Sequence, residues 1–206
     1  MNNGRFIVFE GIDGCGKSTQ LGMVLDELIN KNYKTIITRE PGGTPIGEKI
    51  RDLLKSDCSF SKETEAYLFA ASRCEHNQYI NKLIEDDNIV LCDRHIFSSL
   101  AYQDYSFAWN VNEECMKLLK YKPILITYDI SYDELIKRIA NRNSNKDRFE
   151  NRLNDEKNYN ILRNKYKNIN NIFHGHLINI DNKSIEEVHK ETMDIIYKIF
   201  KEKGVV

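Results

Sequence analysis

The residues with the clearest capacity for chemistry lie together near the start of the chain. Gly11-Ile12-Asp13-Gly14-Cys15-Gly16-Lys17-Ser18 follows the apolar run Phe6-Ile7-Val8-Phe9 and its terminal acid Glu10, and the spacing matches G-x-x-x-x-G-K-[ST]. In such a loop consecutive backbone N–H groups turn inward around an anion, which a β-carbon at the glycine positions would hinder. A helix opening near Lys17 adds the positive end of its dipole. Lys17 is then placed to reach the β- and γ-phosphates of a nucleoside triphosphate, and Ser18 to offer its hydroxyl to Mg²⁺. Gly11, Ile12, Asp13, Gly14, Cys15, Gly16, Lys17, Ser18 and Thr19 form the candidate cradle. An ordinary βα turn could also hold a lysine. Here the apolar strand before the loop and the stripe Leu21, Val24, Leu25 and Leu28 after it supply the strand–loop–helix context the chemistry needs.

The elements that must position this loop follow from periodicity. The first helix is predicted to run to about Asn30, and Thr35-Ile36-Ile37-Thr38 reads as a second strand ending at Arg39-Glu40-Pro41-Gly42-Gly43-Thr44-Pro45. Pro45 suits the first turn of the next helix, and Ser61 suits the N-cap of a long helix to about Glu85. Ile89 to Asp93 is a third strand, followed by helix over Ile96 to Tyr105 and again over Val111 to Leu119. Ile124 to Tyr128 is a fourth strand, and Ser131 with Glu134 forms a capping box for a helix through Leu135 and Ile139. The polar segment of about 141–154 has no apolar stripe and is expected to be a mobile loop. Helix resumes to about Asn168, a fifth strand covers roughly His176 to Ile180, and Ser184 with Glu187 caps the last helix. Strands alternating with helices imply a parallel sheet covered on both faces. Right-handed crossovers put the strand carboxyl ends on one side, so the loop, Arg39 and Asp93-Arg94 should converge.

Composition narrows the class. The chain of 206 residues fits one domain over 1–206, and its net charge of -1 gives no global electrostatic case for nucleic acid or an anionic membrane. No apolar run approaches the ~20 residues needed to span a bilayer, and no signal-peptide pattern precedes Phe6. Cys15, Cys58, Cys74, Cys92 and Cys115 show no C-x-x-C spacing and are expected to be reduced thiols of a cytoplasmic protein. His174 and His176 lack further ligand partners for zinc, and Trp109 is expected to pack rather than bind.

Several segments in order resemble the thymidylate kinase family: Phe6 to Gln20, Arg39 to Thr44, Leu68-Phe69-Ala70-Ala71-Ser72-Arg73, and Asp93-Arg94-His95 with Ser98-Ser99-Leu100-Ala101-Tyr102-Gln103. Asp147-Arg148-Phe149-Glu150 is similar to the family's lid. The resemblance implies a five-stranded parallel sheet flanked by helices, with a mobile lid over about 141–154, as in P-loop nucleoside monophosphate kinases. It implies transfer of the γ-phosphoryl of Mg-ATP to dTMP. Arg39 and Arg94 would hold the acceptor monophosphate, because guanidinium forks suit phosphate oxygens. Asp13 would sit near the acceptor 3′-hydroxyl, although an acid there could also cap the helix. Asp93 and Ser18 would serve Mg²⁺. Phe69 would stack on thymine, Arg73 would bond the base, Ser99 and Gln103 would address its edge, and Tyr102 would close against C2′. Arg51 would add a phosphate contact or stand as a solvated helix residue. The family also suggests a homodimer.

The chain departs from the family pattern at Ser72, where many relatives have Asp, at Asp104, where Gly often stands, and at Gly14, which is not basic. The last resembles bacterial-type enzymes in which the lid supplies the arginines, and Arg138, Arg142, Arg148 and Arg152 are the candidates. Lys17, Arg94, Arg148, Arg142 and Asp13 are the expected catalytic set. A kinase of another nucleoside monophosphate would share everything except the base pocket. A guanine-nucleotide switch is disfavoured, because the chain has no N-K-x-D motif.

Overall fold

The computed structural model describes residues 3–140 and 155–205. In chain order the elements are β1 (Phe6–Gly11), α1 (Lys17–Asn30), β2 (Thr35–Arg39), α2 (Pro45–Lys55), α3 (Lys62–Glu85), β3 (Ile89–Asp93), α4 (Ile96–Tyr102), α5 (Tyr105–Lys117), β4 (Ile124–Asp129), α6 (Tyr132–Ala140), α7 (Glu156–Ile172), β5 (His176–Asn179) and α8 (Ile185–Lys203). The five strands form one sheet in the order β2-β3-β1-β4-β5, and every neighbouring pair is parallel. β1 and β4 are buried along their whole length, as continuous apolar runs in a doubly covered sheet must be. The edge strands β2 and β5 alternate buried with exposed positions.

Helix boundaries follow local chemistry. Thr44 caps α2 by accepting from the Gly47 amide with Pro45 in the first turn, and Ser61 caps α3 by accepting from Thr64. Ser184 and Glu187 form the reciprocal capping box of α8. At α6 only one arm of the expected box forms: Ser131 Oγ accepts from the Glu134 amide at 3.4 Å, while the Glu134 carboxylate turns to Arg138 and Ser131 N donates to Asp181. The break expected after Tyr105 falls earlier, because Asp104 Oδ1 accepts from the Phe107 amide and starts α5 at Tyr105. Asp104 is therefore a helix cap where a glycine was the family habit. The helix expected to stop near Asn168 continues to Ile172.

One expectation about the cysteines is corrected. Cys74 on α3 and Cys115 on α5 are joined as a disulfide, their Cα atoms 4.7 Å apart where the two helices pack. Cys15 and Cys92 are buried free thiols and Cys58 is exposed. Trp109 packs against Phe173 at the edge of the core. No helix of the described residues is long and apolar enough to cross a membrane.

Candidate active site

β1 is the central strand, so the loop leaving its carboxyl end opens at the middle of that edge of the sheet. Gly11 must be glycine. Its φ is 139°, and a Cβ there would stand 2.6 Å from the Tyr128 carbonyl oxygen of β4. Gly16, at φ 91°, supplies the left-handed residue from which α1 starts. Lys17 is buried and its Nζ donates to the carbonyls of Gly11 at 2.9 Å and Ile12 at 3.1 Å, which holds the ammonium at the loop's mouth. Ser18 and Thr19 are exposed on the first turn of α1, while Gly11, Ile12 and Cys15 lie buried beneath the loop. Cys15 fills space there as a small apolar side chain.

The strand ends converge as parallel topology requires. Arg39 pairs in register with Asp93, Asp93 with Phe9, and the amide of Glu40 donates to the Asp93 carbonyl at 2.9 Å. A cleft of about 940 Å³ lies along these ends. Its nucleotide-loop side is lined by Asp13, Gly14, Gly16, Lys17, Ser18 and Thr19. Its far side is lined by Arg39, Phe69, Arg73, Asp93, Arg94, Ser99, Tyr102 and Gln103. Residues distant in sequence are thus brought to one cavity.

Arg94 stands between the two sides. Its φ is 68°, and its amide donates to the Phe9 carbonyl, which fixes its backbone at the end of β3. Nη2 donates to Asp13 Oδ1 at 2.6 Å, and Nη1 donates to Ser98 Oγ at 2.8 Å and to the Tyr166 hydroxyl at 3.0 Å. Tyr102 donates to the other oxygen of Asp13 at 3.2 Å, and the Arg94 guanidinium lies over the Tyr102 ring. Burial pushes the Asp13 carboxyl up, but Arg94 and Lys17 overcome it and leave the group below its ordinary value. Asp13 is a charged partner of Arg94, and α1 begins at Gly16 with no side-chain cap. Behind it, fully buried Glu10 accepts from the amides of His95 and Ser98, the Ser98 hydroxyl and the Tyr166 hydroxyl. Burial dominates there and raises the Glu10 carboxyl despite the nearby Arg94 charge.

Arg39 is more exposed and pairs with Glu48 of α2 at 2.8 Å, while Arg51 donates to the Pro41 carbonyl at 2.9 Å. The Glu40-Pro41 peptide bond is cis. Ser72 keeps a link to this turn: its hydroxyl accepts from the Gly42 amide at 3.2 Å.

Arg73 is 1% exposed on the inner face of α3, one helical turn from Phe69. Nε donates to Glu40 Oε2 at 2.7 Å, one terminal nitrogen to Asn112 Oδ1, and the other to Ser99 Oγ at 3.1 Å. Burial pushes the Glu40 carboxyl up, but the Arg73 charge and the hydrogen bond from His76 outweigh it, and the group is held down at about 2. Gln103 Oε1 is buried without a hydrogen-bond partner among the described residues.

Asp93 Oδ1 is likewise buried and unpartnered at the end of β3, beside the loop that carries Ser18. No group of three or more acidic, His or Cys side chains among the described residues could enclose a metal. One orphaned carboxylate oxygen and one hydroxyl suit Mg²⁺, which takes few protein ligands and completes its shell with phosphates and water.

The lid arginines Arg142, Arg148 and Arg152 lie outside the described residues. Arg138 is described on α6, where it pairs with Glu134, and its Nη1 lies 3.7 Å from where a Cβ on Gly16 would stand. Sequence reasoning missed Glu10, Glu40, His76, Asn112, Ser98 and Tyr166. The signal available for two of them was a polar residue on a helical stripe or strand otherwise bound for the core: Glu10 near the end of β1, and His76 beside Arg73 and Asn77 among the buried positions of α3.

A glycine-rich loop leaving the central strand, facing a cleft lined by Arg39, Arg94, Phe69 and Tyr102 on a five-stranded parallel sheet, defines a P-loop nucleoside monophosphate kinase fold. A family profile described as thymidylate kinase matches residues 9–192. A probable thymidylate kinase of Methanococcus aeolicus is 42% identical, with 98% of this chain and 99% of that one covered. A thymidylate kinase of Bacillus licheniformis is 37% identical over 97% and 98% of the two chains. The crystal structure of thymidylate kinase from Ehrlichia chaffeensis superposes with a TM-score of 0.70 at 29% identity, covering 93% of this chain and 97% of that one. The chain belongs to the thymidylate kinase family and is a phosphotransferase.

Proposed function

We propose that this protein transfers the γ-phosphoryl group of Mg-ATP to dTMP, giving dTDP and ADP, and that the residues named above do the work. The observation that carries the assignment is the single cleft shared by the phosphate loop and the pocket of Phe69, Arg73 and Ser99. Phosphoryl transfer asks little covalent chemistry of a protein, so positioning and charge stabilisation dominate. Lys17 and the loop amides seat the triphosphate, and Arg39 and Arg94 hold the acceptor monophosphate. Asp13 keeps Arg94 aimed between the two and stands beside the acceptor sugar, with Tyr102 against it. Phe69 stacks on the base, while Arg73, Ser99 and Gln103 read its edge. Ser18 and Asp93 would hold Mg²⁺, which when bound neutralises charge on the bridging phosphate oxygens. Arg142 and Arg148 supply further positive charge from the lid segment, because Lys17 is the loop's only cation.

The exposed Ile46 and Leu53 of α2 and Tyr67 and Tyr79 of α3 support a homodimer, which sedimentation at several concentrations checks. A cytoplasmic setting fits the ATP supply the reaction needs. The function is tested by assaying purified protein with ATP, Mg²⁺ and each common nucleoside monophosphate, with dTDP resolved chromatographically. dTMP is expected to be the best acceptor, and chelation of the metal should abolish turnover. Preference for another monophosphate, or ATP hydrolysis without an acceptor product, would overturn the assignment.

A further inference from the structure

Glu40 uses its two carboxylate oxygens for different tasks. Oε2 takes only the Nε–H of Arg73, at 2.7 Å. Oε1 accepts from His76 Nδ1 at 3.0 Å, and His95 Nε2, which is hydrogen-bonded to Asn77 Oδ1 at 3.0 Å, lies 3.1 Å from it. The network fixes both tautomers, since a nitrogen facing a carboxylate must carry the proton. His76 then accepts at Nε2 from the Thr38 hydroxyl at 2.6 Å, so the brace runs back into β2. His95 is neutral, as burial drives its imidazole down to about 3.

An arginine beside a carboxylate ordinarily takes it with two N–H groups in a fork. Here His76 engages Oε1 instead, and the fork is not formed. Arginine has five N–H donors. One goes to Glu40, one to Asn112 and one to Ser99, which leaves one on each terminal nitrogen uncommitted among the described residues. Arg73 and Glu40 both line the cleft. The backbone of Glu40 is tied to the Asp93 carbonyl and follows Arg39 directly. The carboxylate that orients the base-reading guanidinium is therefore mounted on the same turn that carries the phosphate-holding arginine.

We propose that Glu40, braced by His76, is a positioning residue for base recognition: it holds Arg73 by Nε alone and so leaves one N–H on each terminal nitrogen for the acceptor's base. The proposal rests on the reading of Arg73 as a base contact. Two free donors demand a carbonyl acceptor, which thymine presents at O4 and cytosine, with an amino group there, does not. Base choice is thus set by Glu40 as well as by the residue that touches the base.

Steady-state kinetics on wild type, Glu40→Gln, Arg73→Gln and the double variant test it, with dTMP and dCMP as acceptors and melting temperature measured in parallel. Removing a group that orients a ligating side chain typically costs 10–100-fold, and Glu40→Gln is expected to raise the dTMP KM by about that factor. It should lower kcat much less, leave the ATP KM in place and narrow the preference for dTMP over dCMP. The double variant should be no worse than Arg73→Gln, the non-additivity of residues acting as a unit. An unchanged dTMP KM in Glu40→Gln, with a raised one in Arg73→Gln, would overturn the positioning role and leave the pocket reading standing. An unchanged KM in both would overturn the pocket reading itself. A parallel loss in kcat and in both KM values, measured below the variant's melting temperature, would make Glu40 a scaffold residue and overturn the proposal. If Glu40→Gln does not fold, His76→Phe carries the test, because it keeps the ion pair and removes the brace. A raised dTMP KM at near wild-type melting temperature supports the proposal, and an unchanged KM overturns it.

Discussion

Lys17 is a buried ammonium held by two loop carbonyls, and in the proposed reaction it meets the charge that develops on the transferring phosphoryl group. A preorganised donor in a water-poor site is worth roughly 10²–10³ in rate. Lys17→Met is accordingly expected to lower kcat by at least that much while the fold, checked by circular dichroism, is retained. Glu40 makes a second prediction at this scale. In the folded protein its carboxyl is held down at about 2, against an ordinary 4.5, so its stabilising contribution is full above 4.5 and is lost as pH falls from there toward 2. A downward shift of that size corresponds to a contribution on the order of a few kcal/mol. Urea unfolding at pH 6 and pH 3 should show the gap in stability between wild type and Glu40→Gln closing at the lower pH. At this scale the sequence exposed Lys17, Arg39, Arg73 and Arg94 because each falls in a short spaced pattern. Glu40 and His76 stayed hidden: their role depends on a meeting of β2, α3 and α4 that no local spacing encodes.

α4 brings Ser99 and Tyr102 to the cleft with Gln103 just past its end, α5 sets Asn112 behind them against Arg73, and the short connection between the helices sets their relation. Asp104 caps α5 there, so Asp104→Ala should cost about 1 kcal/mol in stability, read from denaturant midpoints. The break was misplaced by pattern because Tyr105 to Asn110 looks irregular in hydropathy, while the cap that decides the boundary is a single side-chain-to-amide bond. β1, α1, β3 and α8 were legible because continuous apolar runs and 3.6-residue stripes are signals of burial that tertiary packing reinforces. The lid is a different case, since its polar composition gives spacing and charge but no face to bury. Arg148→Ala should lower single-turnover phosphoryl transfer far more than it weakens dTMP binding, by a factor within the ~10³–10⁵ that an arginine on a transferring phosphoryl can supply. Wild-type chemistry in Arg148→Ala, Arg142→Ala and the double variant would place the added charge on Arg94 instead.

For the molecule as a whole, parallel order is what converts scattered motifs into one site. With β2, β3 and β1 adjacent and pointing the same way, Arg39, Asp93, Arg94 and the phosphate loop must emerge side by side. The convergence was therefore readable from strand–helix alternation alone, whereas the Cys74–Cys115 link was not, because it needed the packing of α3 on α5. The account rests on a donor triphosphate and an acceptor nucleotide meeting across one cleft of about 940 Å³. The most direct test is inhibition by a bisubstrate molecule, adenosine and thymidine joined through a five-phosphate chain, measured against each substrate in turn. Competition with both ATP and dTMP, at an affinity well above that of either nucleotide, is the predicted result. Competition with only one substrate, or with neither, would show that the two nucleotides do not share this cleft.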